Sequence, residues 1–287
     1  MKRMNWLRVA AVIWVTAFSP TVEAQERTDA LRRKLLDPNG DVMVVAHRAS
    51  HKQYPENSID AIRDAIRLQV DIIEIDVKVS KDGVPFLMHD RTMDRTTNGT
   101  GDPEELTWEE LQQYNIVDKG KPTRWKIPTL EAALNVARGN ILVDLDIKTD
   151  RIDDVMRIVE KTEMQDQVIF FDSDYEVLQR VKSRNQDFMV MPRAHRLTEA
   201  DSAIALFDPP VVHIDFDFYT PETVSVIKGS RARVWINALG EPDQILREGK
   251  PKKALKKLLV HGANIIQTDE PEMFISILEK KKAVVYE

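Results

Sequence analysis

Not one of the 287 residues is cysteine. That removes disulfides, thiolate nucleophiles, lipid attachment through sulfur and any zinc–thiolate centre. It leaves the compartment open, because a chain of this size can bury an adequate core without covalent staples. A broad basic surface is missing too. The formal net charge is −6 with both signs interspersed, which argues against nucleic acid as a partner. The Lys252-Lys253 and Lys256-Lys257 pairs sit beside Leu255, Leu258 and Leu259 at helical spacing and read as a solvated helix face. No glycine-rich phosphate loop follows the first strand-like run, which weighs against an open dinucleotide-binding sheet. Beyond the N-terminus, no run is long and apolar enough to span a bilayer of roughly 30 Å.

The N-terminus itself carries an export pattern. Lys2, Arg3 and Arg8 form a positive region, Val9 to Phe18 a short apolar core, and Val22-Glu23-Ala24 a small-residue cleavage site before Gln25. Residues 1–24 are therefore expected to be a removed secretory leader. The mature protein, 25–287, is expected to be secreted or periplasmic, with no stable membrane insertion. Its oligomeric state stays open.

Along the mature chain, apolar runs alternate with helical patterns. Strand-like runs fall at 42–47, 72–79, 141–148, 168–171, 188–191, 211–218, 234–237 and 264–268. Such near-continuous β-branched runs suit strands buried on both faces. Eight of them separated by helices is the number that closes a (β/α)8 TIM barrel. Asn57 or Ser58 caps a helix to Gln69, and Pro221 and Pro271 each open another. Residues from about 90 to 128, rich in turn residues and prolines, break the rhythm. They read as a small insertion after the second barrel strand, with too little apolar content for a core of its own.

Chemistry concentrates where barrel strands end, because those ends share one mouth. His47 and Arg48 end the first strand, Glu74 and Asp76 lie two apart on the second, and Asp146 and Lys148 end the third. Asp82-Gly83 reads as a tight hairpin turn that returns His89 opposite Asp76. Three carboxylates in buried strands exceed what Arg48 and Lys148 can compensate, so a divalent cation is the economical answer. All-oxygen ligation favours Ca²⁺ or Mg²⁺. With imidazoles beside it, such a site suits metal-assisted phosphoester cleavage. His51, His195 and His261 read as loop or surface residues, and His213 as structural.

An ordered series of motifs adds a resemblance. H-R at 47–48, P-E-N-S at 55–58, E-I-D-V through M-H-D at 74–90 and T-N-G-T-G at 97–101 begin it. I-P-T-L-E at 127–131, D-I-K at 146–148, W-I-N at 235–237 and N-I-I-Q-T-D-E-P at 264–271 complete it. Together they resemble the glycerophosphodiester phosphodiesterase family. The resemblance implies a (β/α)8 barrel that hydrolyses glycerophosphodiesters to sn-glycerol 3-phosphate and an alcohol. It makes His47 and His89 the acid–base pair and Glu74, Asp76 and Asp146 the metal ligands. Arg48 and Lys148 would hold the phosphate, with Glu56, Asn57 and Trp235 shaping the substrate site.

Two positions depart from the family pattern. Ala49 stands where glycine is usual, and its methyl group is expected to reshape the mouth because alanine resists positive φ. Asp146 stands where glutamate is usual and is one methylene shorter. The shorter acid is also similar to the pattern of sphingomyelinase D and related phospholipases D, which implies lipid headgroups as an alternative substrate. A non-catalytic phosphodiester-binding barrel is the remaining alternative.

Overall fold

A computed structural model describes residues 22–285. Eight parallel strands close a barrel: β1 (Met43–Ala46), β2 (Ile72–Val79), β3 (Leu142–Ile147), β4 (Val168–Asp172), β5 (Met189–Ala194), β6 (Val211–Ile214), β7 (Arg233–Asn237) and β8 (Ile265–Thr268). Each pairs with its neighbours in sequence order. The ring closes where β1 meets both β8 and β2, with Val45 beside Gln267 on one side and Ile72 on the other. The chain is thus a TIM barrel, ringed by helices between successive strands.

The helices begin where the sequence supplies a cap. The Ser58 side chain accepts the Ala61 amide at the start of Ile59–Arg67, and Thr129 accepts Ala132 before Leu130–Ala137. Pro221 occupies the first turn of Pro221–Gly229, where its missing N–H costs nothing. Inward strand residues Met43, Val45, Ile72, Leu142, Ile169, Met189, Val211 and Ile265 fill the lower barrel interior together with Trp235. Outward residues pack against the helices in two larger clusters.

The expected leader lies outside the described residues except for Val22–Ala24, which open the helix Val22–Leu35. Periodicity gave no hint of that helix, because it shows the barrel only a narrow apolar edge. Its Leu31 and Leu35 join the inner cluster, while Lys34 pairs with Asp71 at 2.8 Å. The helix therefore seals the barrel floor. The sixth strand is shorter than expected: it stops at Ile214, and Phe216–Phe218 form a 3-10 turn packed on the helix layer.

The hairpin after β2 differs by one residue from expectation. Gly83 donates to the Ser80 carbonyl, Ser80 donates to Val84, and Gly83 has φ +88°. This is a three-residue loop with glycine in the left-handed position, not a two-residue turn. The extra residue moves the register, so Val77 faces Leu87 and the Asp76 carbonyl accepts the Met88 amide. Met88, not His89, lies opposite Asp76. His89 follows the strand, in the loop that leads to residues 90–128. Met93, Leu111, Ile116 and Ile127 from these residues join Phe86 and Met88 of the hairpin in a small cluster. The cluster closes because the hairpin lends it two large side chains. Among the described residues, no helix is long and apolar enough to cross a membrane.

Candidate active site

Strand register lines up the acids. Glu74 pairs across with Asp144, and Asp76 with Asp146, so β2 and β3 present four carboxylates in two adjacent rows. One oxygen each from Glu74, Asp76 and Asp146 lies within 4.8 Å of the others. Glu74 and Asp76 are buried, yet Glu74 Oε1 and Asp76 Oδ1 accept no hydrogen bond. Burial, reinforced by Asp76 and Asp146, pushes the Glu74 carboxyl well above its ordinary range. Burial likewise pushes Asp146 up to about 6 against the pull of Lys148. Partnerless, strongly destabilised oxygens aimed at one point are what a hard divalent cation would satisfy. The residues present fit such an ion.

Two cations reach this acidic patch. Lys148 Nζ lies 2.7 Å from Asp146 Oδ2 and 3.7 Å from Asp76 Oδ1. Burial works against the Lys148 charge, but Asp146 and Asp76 overcome it and raise its pKa. Arg48 Nε stands 3.6 Å from Asp76 Oδ2, and its Nη1 donates to Glu56 at 2.9 Å. The Arg48 amide donates to Glu74 Oε2 at 2.7 Å. That contact depends on a tight bend, in which Arg48 and Ala49 both adopt positive φ, +50° and +62°. Asn57, at φ +55°, donates to Asp76 Oδ2 at 2.8 Å and accepts the Asp76 amide. Glu56 and Asn57 thus orient Arg48 and Asp76 respectively.

Each expected catalytic histidine is held by a carboxylate. His47 Nδ1 lies 2.7 Å from Asp269 Oδ1, and His89 Nδ1 lies 2.7 Å from Asp90 Oδ1. A carboxylate only accepts, so Nδ1 carries the donated proton and Nε2 is left for chemistry. His47 Nε2 is 4.0 Å from Glu74 Oε2, and His89 when protonated would lower the Asp146 carboxyl. Burial works to raise Asp269, but the hydrogen bond from His47 overcomes it and keeps the acid ionised.

Sequence reasoning left several residues without a role. Asp269 and Asp90 stand inside quoted motifs, T-D-E-P and M-H-D, but their pairing with histidines needs the fold. His51, read as a loop residue, packs edge-on to His47 at 5.9 Å between ring centroids. Its Nδ1 donates to the His47 carbonyl, and its Nε2 is 3.5 Å from Asp269. Trp235, expected to shape the substrate site, is wholly buried in the inner barrel layer. Its indole N–H reaches Gln267 and Asn237, and Gln267 in turn donates to Glu74 at 3.3 Å. It supports an acid from below instead of lining the opening. Ala49 also corrects its expectation, because its methyl group belongs to the core between barrel and helices, away from the mouth.

Comparison with known proteins agrees with this geometry. Residues 47–206, more than half of the chain, match the model of the glycerophosphoryl diester phosphodiesterase family. A glycerophosphodiester phosphodiesterase from Caldanaerobacter subterraneus is 27% identical over 83% of this chain and 98% of its own. Human glycerophosphodiester phosphodiesterase 1 is 36% identical over 121 residues, 40% of this chain and 36% of the human one. The match thus spans only about a third of that relative's length. Among solved structures, a glycerophosphoryl diester phosphodiesterase from Parabacteroides distasonis superimposes with TM-score 0.75 at 25% identity, covering 88% of this chain and 92% of that one. An Oleispira antarctica phosphodiesterase in complex with the product sn-glycerol-3-phosphate gives TM-score 0.72 at 25% identity, over 83% of this chain and 96% of that one. The chain belongs to the glycerophosphoryl diester phosphodiesterase family and is a phosphodiesterase.

Proposed function

We propose that the protein is an exported, divalent-metal-dependent enzyme that hydrolyses glycerophosphodiesters to sn-glycerol 3-phosphate and an alcohol. One observation carries this reading. Two imidazoles, each fixed at Nδ1 by a carboxylate, border a three-carboxylate cluster flanked by Arg48 and Lys148. Export rests on the N-terminal leader pattern, and the substrate class on the relatives described above.

Glu74, Asp76 and Asp146 would hold the ion, Ca²⁺ or Mg²⁺ by their all-oxygen donor set. Bound there, it supplies positive charge against the phosphoryl oxygens. Arg48 and Lys148 add two fixed cations for the charge that grows in the transition state. His47 and His89 share the proton work at Nε2. One takes the proton of the attacking oxygen, either water or a neighbouring glycerol hydroxyl whose cyclic phosphate water then opens, and the other gives a proton to the departing alkoxide. Asp269 and Asp90 keep each ring in the tautomer that leaves Nε2 available and stabilise it when protonated.

Purified protein should release sn-glycerol 3-phosphate from soluble glycerophosphodiesters, stop with chelator and recover with Ca²⁺ or Mg²⁺. His47→Ala and His89→Ala should each lower kcat by about 10²- to 10⁴-fold without loss of fold. Near-normal turnover in either would overturn the assignment. Faster cleavage of lysophospholipid micelles than of soluble diesters would favour the lipid-headgroup reading. N-terminal sequencing of the mature protein should begin at Gln25.

A further inference from the structure

Arg95 donates four hydrogen bonds to carboxylates near the mouth, and nothing in the reading above uses it. Its Nη1 and Nη2 each donate at 2.8 Å to one oxygen of Glu56. Its Nε donates to Asp90 Oδ2 at 2.6 Å and its Nη2 to Asp90 Oδ1 at 2.9 Å. One planar guanidinium is therefore bidentate to two carboxylates at once, an arrangement the lysine ammonium cannot copy.

The other contacts of those carboxylates give the arrangement its meaning. Glu56 Oε1 also accepts Arg48 Nη1, and Asp90 Oδ1 also accepts His89 Nδ1. Arg48 comes from the loop after β1 and His89 from the loop that follows the β2 hairpin. No hydrogen bond joins them directly, and Arg95 links the acid that holds each. Hydrogen bonding from Arg95 is the largest influence holding Asp90 far below its ordinary range. Burial works to raise Glu56, and the Arg95 and Arg48 guanidiniums overcome it.

The insertion keeps this residue in place. Met93 is fully buried in the small cluster, and Thr96 and Thr97 are buried. The Thr97 amide and hydroxyl both donate to the Met93 carbonyl, and the Thr96 carbonyl accepts Val117. The backbone either side of Arg95 is thus pinned. Gly99 completes the packing, since a Cβ there would meet the Tyr114 ring at 2.7 Å. The Arg95 side chain itself is about half exposed, 49%. Ion pairs so exposed contribute little to global stability, so the value of this fork lies in geometry.

We propose that Arg95 is a positioning residue for phosphodiester cleavage, locking Arg48 through Glu56 and His89 through Asp90 into one arrangement. On this view the insertion serves the reaction by carrying that guanidinium. The inference rests on the roles assigned above to Arg48 and His89.

Steady-state kinetics of Arg95→Gln and Arg95→Lys, with thermal unfolding of each, test it. Arg95→Gln should fold cooperatively and lose about 10- to 100-fold in kcat per folded molecule, the range for residues that orient catalytic groups. Arg95→Lys should recover only part of that loss. The Arg95→Gln/Asp90→Asn double variant should lose clearly less than the product of the single losses, because both act through His89. Unchanged kcat in folded Arg95→Gln, full recovery in Arg95→Lys, or multiplicative losses in the double variant would each overturn the proposal. Indifference to His89→Ala would instead overturn the underlying assignment. Sensitivity to His89→Ala with indifference to Arg95→Gln removes Arg95 alone.

Discussion

Along β2 the inward side chains run Ile72, Glu74, Asp76, and along β3 they run Leu142, Asp144, Asp146. A step of two residues carries each strand from a dry aliphatic layer into a row of acids. The lower layer is fully shielded from water, as are Glu74, Asp76 and Asp144 above it, with Asp146 partly exposed at the rim; both layers sit on the same backbone hydrogen bonds. Below, Ile72 and Leu142 join an aliphatic cluster and carry no side-chain polar atom to leave unpaired. Above, Glu74 Oε1, Asp76 Oδ1 and Asp144 Oδ1 lack hydrogen-bond partners, and burial drives Glu74, Asp144 and Asp146 upward in pKa. The lower layer favours the fold, while the upper layer works against it and is tolerated because the chemistry needs it.

The sharpest test of that division is a cavity in the lower layer. Leu142→Ala should cost about 2–5 kcal/mol of stability, as large-to-small changes in well-packed cores do. Turnover per folded molecule should stay close to normal, since Leu142 belongs to the inner aliphatic cluster, one layer below the acids. Denaturant unfolding and kinetics on the same preparation check both halves. A large fall in kcat at little stability cost would break the comparison.

A smaller and opposite effect belongs to Asp144. It is fully buried opposite Glu74, and its burial, with Asp146 and Asp76 nearby, holds its carboxyl well above the ordinary value. A raised acid pKa means the folded state keeps its proton where the unfolded chain has released it. Stability is then lost as pH rises above the unfolded value. Asp144→Asn removes this penalty, so in metal-free protein it should raise Tm, and the gain should be larger at pH 8 than at pH 5. Equal gains at both pH values would show that Asp144 is not ionised against burial.

The two layers also differed in how far the sequence revealed them. The eight strands were legible because strands buried on both faces must be written in runs such as Val44-Val45-Ala46 and Ile72-Ile73. Carboxylates interrupting those runs at spacing two made Glu74, Asp76 and Asp146 visible for the same reason. What stayed hidden depends on loop geometry and distant pairing. The register after β2 turned on one residue in the Ser80–Val84 loop, which the Asp82-Gly83 dipeptide alone does not specify. Asp269 pairs with His47 across 222 residues of sequence, and only barrel closure between β1 and β8 brings them together. The helix Val22–Leu35 escaped because a helix that covers a barrel floor needs few apolar residues, here Leu31 and Leu35.

Ala49 lies at the boundary of the two regions and gives the finest test. Its amide donates to the Glu74 carbonyl at 3.0 Å, and its φ of +62° places an L-residue where glycine is at ease. Holding alanine there costs about 1–2 kcal/mol. Glycine would relieve that strain but leave a freer unfolded chain, a loss of roughly 0.5–1 kcal/mol. Its missing methyl would also thin the packing of the outer core cluster that Ala49 joins. The terms oppose, so Ala49→Gly should change stability by no more than about 1 kcal/mol. Because the methyl group points into the core, KM for soluble diesters should be unchanged within error. A several-fold change in KM would mean that the bend at Arg48-Ala49 relaxes with glycine. The position of the Arg48 amide on Glu74 would then be set by strain at residue 49 as well as by the barrel.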